Sequence, residues 1–146
     1  MERGSSKEKK EYIPALAEKL KRFGLRATPQ RLAILAFLEG NTSHPSAEEI
    51  FRELKPRLPS LSLATVYGTL EVLRREGEIQ ELTIDSERKR FDPDPKPHNH
   101  FLCRSCGRVY DLPVELPALT PPRNIEGFWV ETFTVDFYGL CPACQK

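Results

Sequence analysis

The chain has 146 residues, enough for one ordinary domain or two small ones. Apolar residues make up 39% and charged residues 29%, which is typical of a globular protein. No apolar run reaches the ~20 residues that cross a bilayer. The net charge of +1 excludes no class of partner, but nine Lys/Arg face four Glu in residues 1–31. This basic start favours an N-terminal nucleic-acid module, although a solvated helix face would carry the same charge.

Apolar positions spaced three or four residues apart predict four helices in the N-terminal half of the chain. The first runs from Tyr12 to Phe23, after a polar and frayed start, and the fourth runs from Leu63 to Glu76. Each helix has a capping or stop residue of the expected type. These residues are Gly24 for the first helix, Thr28, Pro29 and Gly40 for the second, Ser46 for the third, and Ser62 and Gly77 for the fourth.

After Gly77 the apolar period changes to two, which predicts a strand at 78–84, a charged turn at 85–89 and a returning strand at Arg90–Asp92. Helices followed by such a hairpin predict a winged helix, a variant of the helix-turn-helix DNA reader. The proline-rich stretch that follows predicts a stiff linker.

The whole chain is therefore predicted as α+β. A winged-helix DNA-binding domain is expected at 1–92, a linker at 93–97, and a small α+β dimerisation and metal-binding domain at 98–146. In the last domain, two short strands are expected at 100–103 and 109–112, and a long alternating strand at 128–140. Prolines between these regions keep any helix short. So small a core needs zinc and, by our interpretation, a dimer partner.

All four cysteines fall into two C-x-x-C pairs. The pairs are Cys103 with Cys106, and Cys141 with Cys144. Two such turns supply the four thiolates of a closed tetrahedral zinc site. Disulfides or a redox C-x-x-C are the alternatives; the charged N-terminus shows no signal peptide, and a thioredoxin-like motif needs a single pair in a βαβ context. Metal thiolates indicate a reducing compartment, so we expect a cytoplasmic protein.

The three histidines suggest a second metal site. His98 and His100 lie on the same side of an extended strand and could share one ion. His44 lies far upstream, before the third helix, and by default would be a surface histidine. Spacing alone does not bring it, or Asp92 and Asp111, to the histidine pair.

Several motifs, read together, resemble the ferric uptake regulator (Fur) family. They follow the family's order from about residue 12 to the end of the chain. They are Gly24–Arg31, His44–Ile50, Ser62–Tyr67, Arg90–Asp92, His98–His100 and the two C-x-x-C pairs. The resemblance implies a dimeric winged-helix repressor with a structural four-cysteine zinc and a separate regulatory metal at the junction of its domains.

The resemblance is greatest to the peroxide-sensing (PerR) branch of the family. It implies that the regulatory ligands are His44, Asp92, His98, His100 and Asp111, and every position carries the expected residue type. The iron-sensing branch tends to have glutamate in place of both aspartates. Three imidazoles and two carboxylates suit Fe(II) or Mn(II). The resemblance also implies that peroxide acting at Fe(II) oxidises His44 or His98, and that Mn(II) occupies the site without this reaction.

The fourth helix is the expected DNA reader. Thr65, Tyr67 and Thr69 are candidates for phosphate and base contacts, and the Tyr67 ring could lie against thymine methyls. Tyr67 could instead be an aromatic residue at the edge of the core. By resemblance, Arg26 would enter a narrow A·T-rich minor groove. Gly68 stands where relatives often carry Arg or Asn, so the preferred operator can differ from that of relatives.

These observations predict a metal-dependent repressor, not an enzyme. It would bind operator DNA as a homodimer when Fe(II) or Mn(II) is bound, and histidine oxidation would release it. An iron- or zinc-uptake repressor is the alternative within the family. An HNH-like zinc nuclease would need a further metal-binding Asn or His on a following helix, and no histidine follows His100. A zinc-ribbon interaction module would leave the first 92 residues unexplained.

Overall fold

The computed structural model describes residues 6–113 and 122–145, and the chain forms two compact units, Met1–Pro95 and Lys96–Lys146. The division falls inside the predicted linker. The elements of the first unit are α1 (Ser6–Arg22), α2 (Pro29–Leu38), α3 (Ala47–Leu54), α4 (Leu63–Arg75), β1 (Gln80–Leu82) and β2 (Arg90–Asp92). Those of the second are β3 (Asn99–Cys103), β4 (Val109–Leu112), β5 (Asn124–Ile125), β6 (Phe128–Trp129), β7 (Asp136–Gly139) and a 3₁₀ helix (Pro142–Gln145). Within the described residues, no helix is both long and apolar enough to cross a membrane.

The core of the first unit is built from the apolar faces of its helices. Burial of these side chains is the main favourable term in its folding. The main cluster of buried apolar residues consists of Leu16, Leu20, Ile34, Leu35, Leu38, Ala47, Ile50, Leu54, Leu61, Val66, Leu70, Leu73, Ile79 and Phe91. The N-caps of α2, α3 and α4 are Thr28, Ser46 and Ser62, as predicted, and each accepts a hydrogen bond from the amide three residues on.

The first helix is longer than the sequence pattern predicts. It begins at Ser6 rather than Tyr12, and it continues through Pro14. The expectation of a frayed start rested on the absence of apolar periodicity. Lys and Glu, which dominate residues 7–11, are good helix formers, and this propensity outweighs the missing pattern.

A two-stranded antiparallel hairpin follows α4. Gln80 pairs with Asp92 and Leu82 with Arg90. The first strand is shorter than the predicted 78–84, because β2 offers only three residues for pairing. Helices followed by this hairpin have the arrangement of a winged helix.

The second unit contains a three-stranded sheet in the order β4-β3-β7. β3 and β4 are antiparallel, with His100 opposite Asp111, whereas β3 and β7 are parallel, with His100 opposite Asp136. The parallel pair joins segments that are far apart in the chain, as parallel pairing requires.

The long strand predicted at 128–140 is wrong. The chain forms β6 at Phe128–Trp129, which pairs with β5 in a tight hairpin, and then β7 at Asp136–Gly139. The turn of that hairpin, Glu126 and Gly127, has positive φ at both residues, as a two-residue hairpin turn requires. Since β5 and β3 are separate partners, the alternating stretch is divided between them. The prediction for the proline-rich stretch falls mainly on residues 114–121, outside the described residues.

Candidate metal centre and nucleic-acid interface

The four cysteines come together in the second unit. Cys103 ends β3 and Cys141 follows β7, and the parallel pairing of these strands places both C-x-x-C turns at the same end of the sheet. All four Sγ atoms lie within 4.8 Å of one another, and all four thiols are free. Cys106 Sγ and Cys141 Sγ are 3.9 Å apart, well beyond the ~2.05 Å of a disulfide bond. The cluster has the composition and spacing of a tetrahedral metal site.

Hydrogen bonds in this cluster favour the thiolate at Cys103 and Cys141 and the protonated thiol at Cys144. The backbone amides of Cys106 and Cys141 lower the pKa of Cys103 to about 6. The hydroxyl of Tyr110 lowers the pKa of Cys141, and the same bond raises the pKa of Tyr110 to about 12. The hydrogen bond that Cys144 makes with Cys141 raises the pKa of Cys144 to about 12. Zn²⁺ fits this donor set, because it binds thiolates and would replace the proton that the crowded Cys144 retains.

Two of the predicted regulatory ligands lie side by side in the first unit. His44 Nε2 is 3.3 Å from Asp92 Oδ2, and both residues are buried. His44 lies in the loop before α3 with a left-handed backbone, φ 51°, which is uncommon for a residue other than glycine. The amide of Phe91 donates to Pro45 O, and Arg90 Nη1 donates to His44 O at 3.3 Å. The wing strand therefore fixes the loop that carries His44.

The other three predicted ligands lie together in the second unit. Asp111 Oδ1 is 2.9 Å from His98 Nε2 and 3.4 Å from His100 Nε2, and the two imidazole rings are 4.3 Å apart. Nδ1 of His98 lies 2.6 Å from the carbonyl oxygen of Lys96, which can only accept, so Nδ1 carries that hydrogen. When His98 is neutral, its Nε2 then carries a lone pair, and this lone pair faces the carboxylate oxygen of Asp111. A cation between these two acceptors satisfies both.

The four predicted DNA-contact residues differ in how exposed their side chains are. Arg26 is exposed in the loop between α1 and α2, and Tyr67 is 44% exposed, so Tyr67 is not a core residue. Thr65 is half-buried at the start of α4. Thr69 is 2% exposed and its hydroxyl donates to Thr65 O at 2.8 Å. The DNA contact predicted for Thr69 is therefore corrected: its side chain belongs to the core face.

The structure also shows interacting residues that the sequence interpretation did not single out. Arg90 is a buried guanidinium beside the His44 loop, and Tyr110 donates to a cysteine of the cluster. Glu48, in the first turn of α3, accepts a hydrogen bond from Tyr67. Tyr110 had a usable signal: it lies in the strand immediately after the first C-x-x-C turn. The partners of Glu48 and Arg90 depend on contacts between elements, for which the sequence shows no pattern.

A winged helix and, in the same chain, a four-thiolate cluster and imidazole–carboxylate groups define a metal-binding protein of the winged-helix DNA-binding class. The sequence pattern of the ferric uptake regulator family matches residues 22–134, and the chain belongs to that family. Its members are metal-responsive transcription regulators. The resemblance inferred from the motifs is confirmed, and so is the predicted fold class.

Relatives of high similarity are named as peroxide regulators. The peroxide operon regulator of Bacillus subtilis (strain 168) is 38% identical over 133 residues, covering 88% of this chain and 90% of the relative. The peroxide-responsive repressor PerR of Staphylococcus epidermidis is 35% identical over 131 residues, covering 87% and 86%.

Solved structures of the family resemble the chain over most of its length. PerR from Streptococcus pyogenes is 34% identical, with a TM-score of 0.51, and covers 92% of this chain and 93% of its own. The ferric uptake regulator Fur of Helicobacter pylori has a TM-score of 0.70 and covers 100% and 98%, and at 21% identity it shows the fold alone. The cofactors expected from the sequence, structural zinc and regulatory iron or manganese, agree with the two kinds of donor set described above.

Proposed function

We propose that this protein is a peroxide-sensing transcriptional repressor. It binds operator DNA as a homodimer when Fe(II) or Mn(II) occupies a regulatory site, and it leaves the DNA when a ligating histidine is oxidised. The observation that carries the proposal is the donor set: one imidazole lies beside a carboxylate in the first unit and two lie beside a carboxylate in the second, with aspartate at both acidic positions. The names of the similar PerR relatives support the same reading.

We propose that one ion takes His44 and Asp92 from the first unit and His98, His100 and Asp111 from the second. Imidazole and carboxylate donors without thiolate suit Fe(II) and Mn(II), whereas the four cysteines suit zinc. An ion that needs donors from both units binds more tightly to the arrangement that supplies all of them. A switch requires such a difference in metal affinity between two arrangements. The metal-bound dimer would present two copies of α4 to successive major grooves.

The oxidation step acts on a carbon of the imidazole ring of His44 or His98. Bound Fe(II) supplies the redox chemistry that activates peroxide, and Mn(II) does not. In the overall balance, one hydrogen peroxide places one oxygen atom on the ring and the other leaves as water. An oxidised ring is a poorer ligand. Oxidation of His44 removes a donor from the first unit, and oxidation of His98 removes one from the second, so in either case the metal-bound arrangement is lost.

DNA reading in this proposal belongs to the first unit. Arg26 enters a minor groove narrowed by A·T pairs, and Thr65 and Tyr67 face the major groove from α4. The zinc cluster holds the second unit folded, and that unit forms the dimer. Its exposed apolar side chains, among them Phe128 and Trp129, support this role. The free cysteines support a cytoplasmic location.

Peroxide treatment of two metal forms tests the proposal. With zinc present, the protein is loaded anaerobically with Fe(II) or Mn(II), and a binding duplex is selected from random DNA with the Mn(II) form. Peroxide is expected to abolish binding of the Fe(II) form and to add one oxygen to the peptide carrying His44 or His98, measured by mass spectrometry. The Mn(II) form should show neither change.

A variant extends the same test to the switch. His44→Ala should keep its zinc and its dimer yet lose the effect of Mn(II) on DNA binding, because it removes a donor contributed by the first unit. If the Fe(II) form survives peroxide with unmodified histidines, the protein is a metal-uptake repressor instead. DNA binding by His44→Ala that still responds to Mn(II) would remove His44 from the regulatory site.

A further inference from the structure

An exposed hydrogen bond joins the reading helix to its neighbour. Tyr67 of α4 donates its hydroxyl hydrogen to the carboxylate of Glu48, the second residue of α3. Both side chains are exposed. The capping box at the start of α3 is made by Ser46 and Glu49, so Glu48 is not needed for it. Nor is Glu48 a core residue or a proposed metal ligand.

The electrostatics of this pair keep it in one protonation state. The bond from Tyr67 lowers the pKa of Glu48, and Arg88 of the wing adds a smaller effect in the same direction. The same bond raises the pKa of Tyr67. At neutral pH the donor is therefore a neutral phenol and the acceptor a carboxylate, a charge-assisted bond of the stronger kind.

This bond restricts what Tyr67 can offer to DNA. An exposed aromatic side chain changes rotamer rapidly unless something holds it. With its hydroxyl engaged by Glu48, Tyr67 presents an apolar ring and no free donor for a phosphate. An apolar ring in the major groove recognises the thymine methyl group.

The carboxylate has a second effect. A negative charge on the reading surface repels the phosphates of any duplex, whatever its sequence. The contact of the ring with a methyl group is made only on DNA that places thymine correctly. The uniform penalty weakens binding to all DNA and cancels in the comparison, so the selective gain alone sets the difference in affinity between operator and other DNA.

We propose that Glu48 is a specificity-determining residue of the DNA-reading surface: it holds the Tyr67 ring for contact with a thymine methyl group and keeps the phenol hydroxyl from phosphates. The inference rests on the proposed function, because it takes α4 as the element that reads operator DNA.

Replacing thymine by deoxyuridine tests the inference, since only the methyl group is lost. The zinc-replete, Mn(II)-loaded full chain is titrated with its selected operator, with deoxyuridine versions of it, and with random duplex. Wild type should lose about fourfold in affinity at a contacted position, the factor that corresponds to roughly 0.8 kcal/mol for a buried methyl group. Glu48→Ala should lose this discrimination. Glu48→Gln, which keeps an acceptor without the charge, should retain it and bind operator and random duplex more tightly.

Glu53→Ala is the matched control, because Glu53 is an exposed acid on the same helix. It should keep the wild-type sensitivity to the methyl group. If Glu48→Ala keeps that sensitivity too, Glu48 is only a helix-stabilising acid and the inference is wrong. A wild type that binds its operator but ignores deoxyuridine also overturns it, whereas a wild type that selects no duplex overturns the proposed function itself.

A measurement without DNA tests the contact separately. The phenol of Tyr67 is titrated by ultraviolet difference spectroscopy, with Tyr67→Phe used to assign its signal. Glu48→Ala should lower the pKa of Tyr67, because it removes the carboxylate that opposes ionisation. An unchanged pKa would mean that the pair is not formed, and the inference would fall.

Discussion

Arg90 shows how one residue supports a distant one. Its guanidinium is buried, with Nε 3.1 Å from Asp85 Oδ2 and Nη1 3.3 Å from the carbonyl oxygen of His44. The His44 backbone is in the left-handed region, which persists only where the surroundings impose it. Arg90 is thus part of what positions a proposed metal ligand, although it contacts no metal itself.

Replacing Arg90 should be costly and should change the response to acid. Burial raises the pKa of Asp85, but hydrogen bonds from the Glu87 amide and Arg90 outweigh this effect and leave that pKa lowered. The stability that Asp85 contributes is therefore present above its unfolded pKa of about 3.9 and is lost as the pH falls through the lower folded value. Arg90→Ala should lower the free energy of unfolding by about 3 kcal/mol at neutral pH. On acidification, the variant should lose less of its remaining stability than the wild type loses.

Urea unfolding followed by circular dichroism at neutral pH and at about pH 3 measures both effects. Arg88→Ala is the matched control, since Arg88 also contacts Asp85 and Glu49 but is 42% exposed. Exposed ion pairs contribute up to about 1 kcal/mol. Equal losses in the two variants would show that burial of Arg90 does not matter.

At the scale of single elements, the starts of α2, α3 and α4 were predictable, whereas the ends of β1 and of the strand predicted at 128–140 were not. Thr28, Ser46 and Ser62 act within three residues of themselves, so their capping role is visible in the local sequence. Strand length depends on a partner elsewhere in the chain. The alternation from 128 to 140 gives no sign that β5 and β3 each pair with only part of it.

Thr69 was predictable from the sequence but was read incorrectly. It follows Val66 by three positions and adjoins Leu70, so it lies on the apolar face of α4. Tyr67 lies outside this face and is exposed. A stricter use of the helical period would have kept Tyr67 and excluded Thr69.

Gly68, within α4, offers a test of this helix. A Cβ added there meets no atom within 4 Å, so alanine fits without strain. Gly68→Ala should raise the free energy of unfolding by up to about 1 kcal/mol, because glycine is a poor helix former. Thermal unfolding by circular dichroism measures the change, and Ala64→Gly on the same exposed face should lower stability by a similar amount. A destabilised Gly68→Ala would show that the backbone there needs glycine.

At the scale of the whole molecule, the sequence shows which residue types could bind metal, but not which of these residues lie close together. Two C-x-x-C pairs predict two turns that can bind metal, but spacing does not show that β3 and β7 run parallel and bring the turns together. The proposed histidine and aspartate ligands were inferred from family resemblance, since no local pattern connects His44 with residues far along the chain. What remained unpredicted consists of contacts between elements, such as Glu48 with Tyr67.

Loss of zinc should unfold the second unit. Cys103→Ser and Cys144→Ser should each lose one zinc per chain and the dimer, because the metal stabilises a unit with a small core. Metal analysis and sedimentation measure the two losses. Ser105→Ala, inside the same turn, is a control that leaves all four thiols in place. A zinc-free variant that remains dimeric and cooperatively folded would contradict the structural role of the site.

The parallel pairing of β3 with β7 also sets an order of events during folding. His100 and Asp136, which face each other, are 36 positions apart, whereas the helices of the first unit form from local contacts. Pairing between distant segments is slow, because the entropy of closing the intervening loop is lost before the strand contacts that offset this loss can form. The first unit should therefore fold early, and the second only when its strands meet and zinc arrives. A cell short of zinc would hold newly made chains in which the first unit is complete and the second still waits to form.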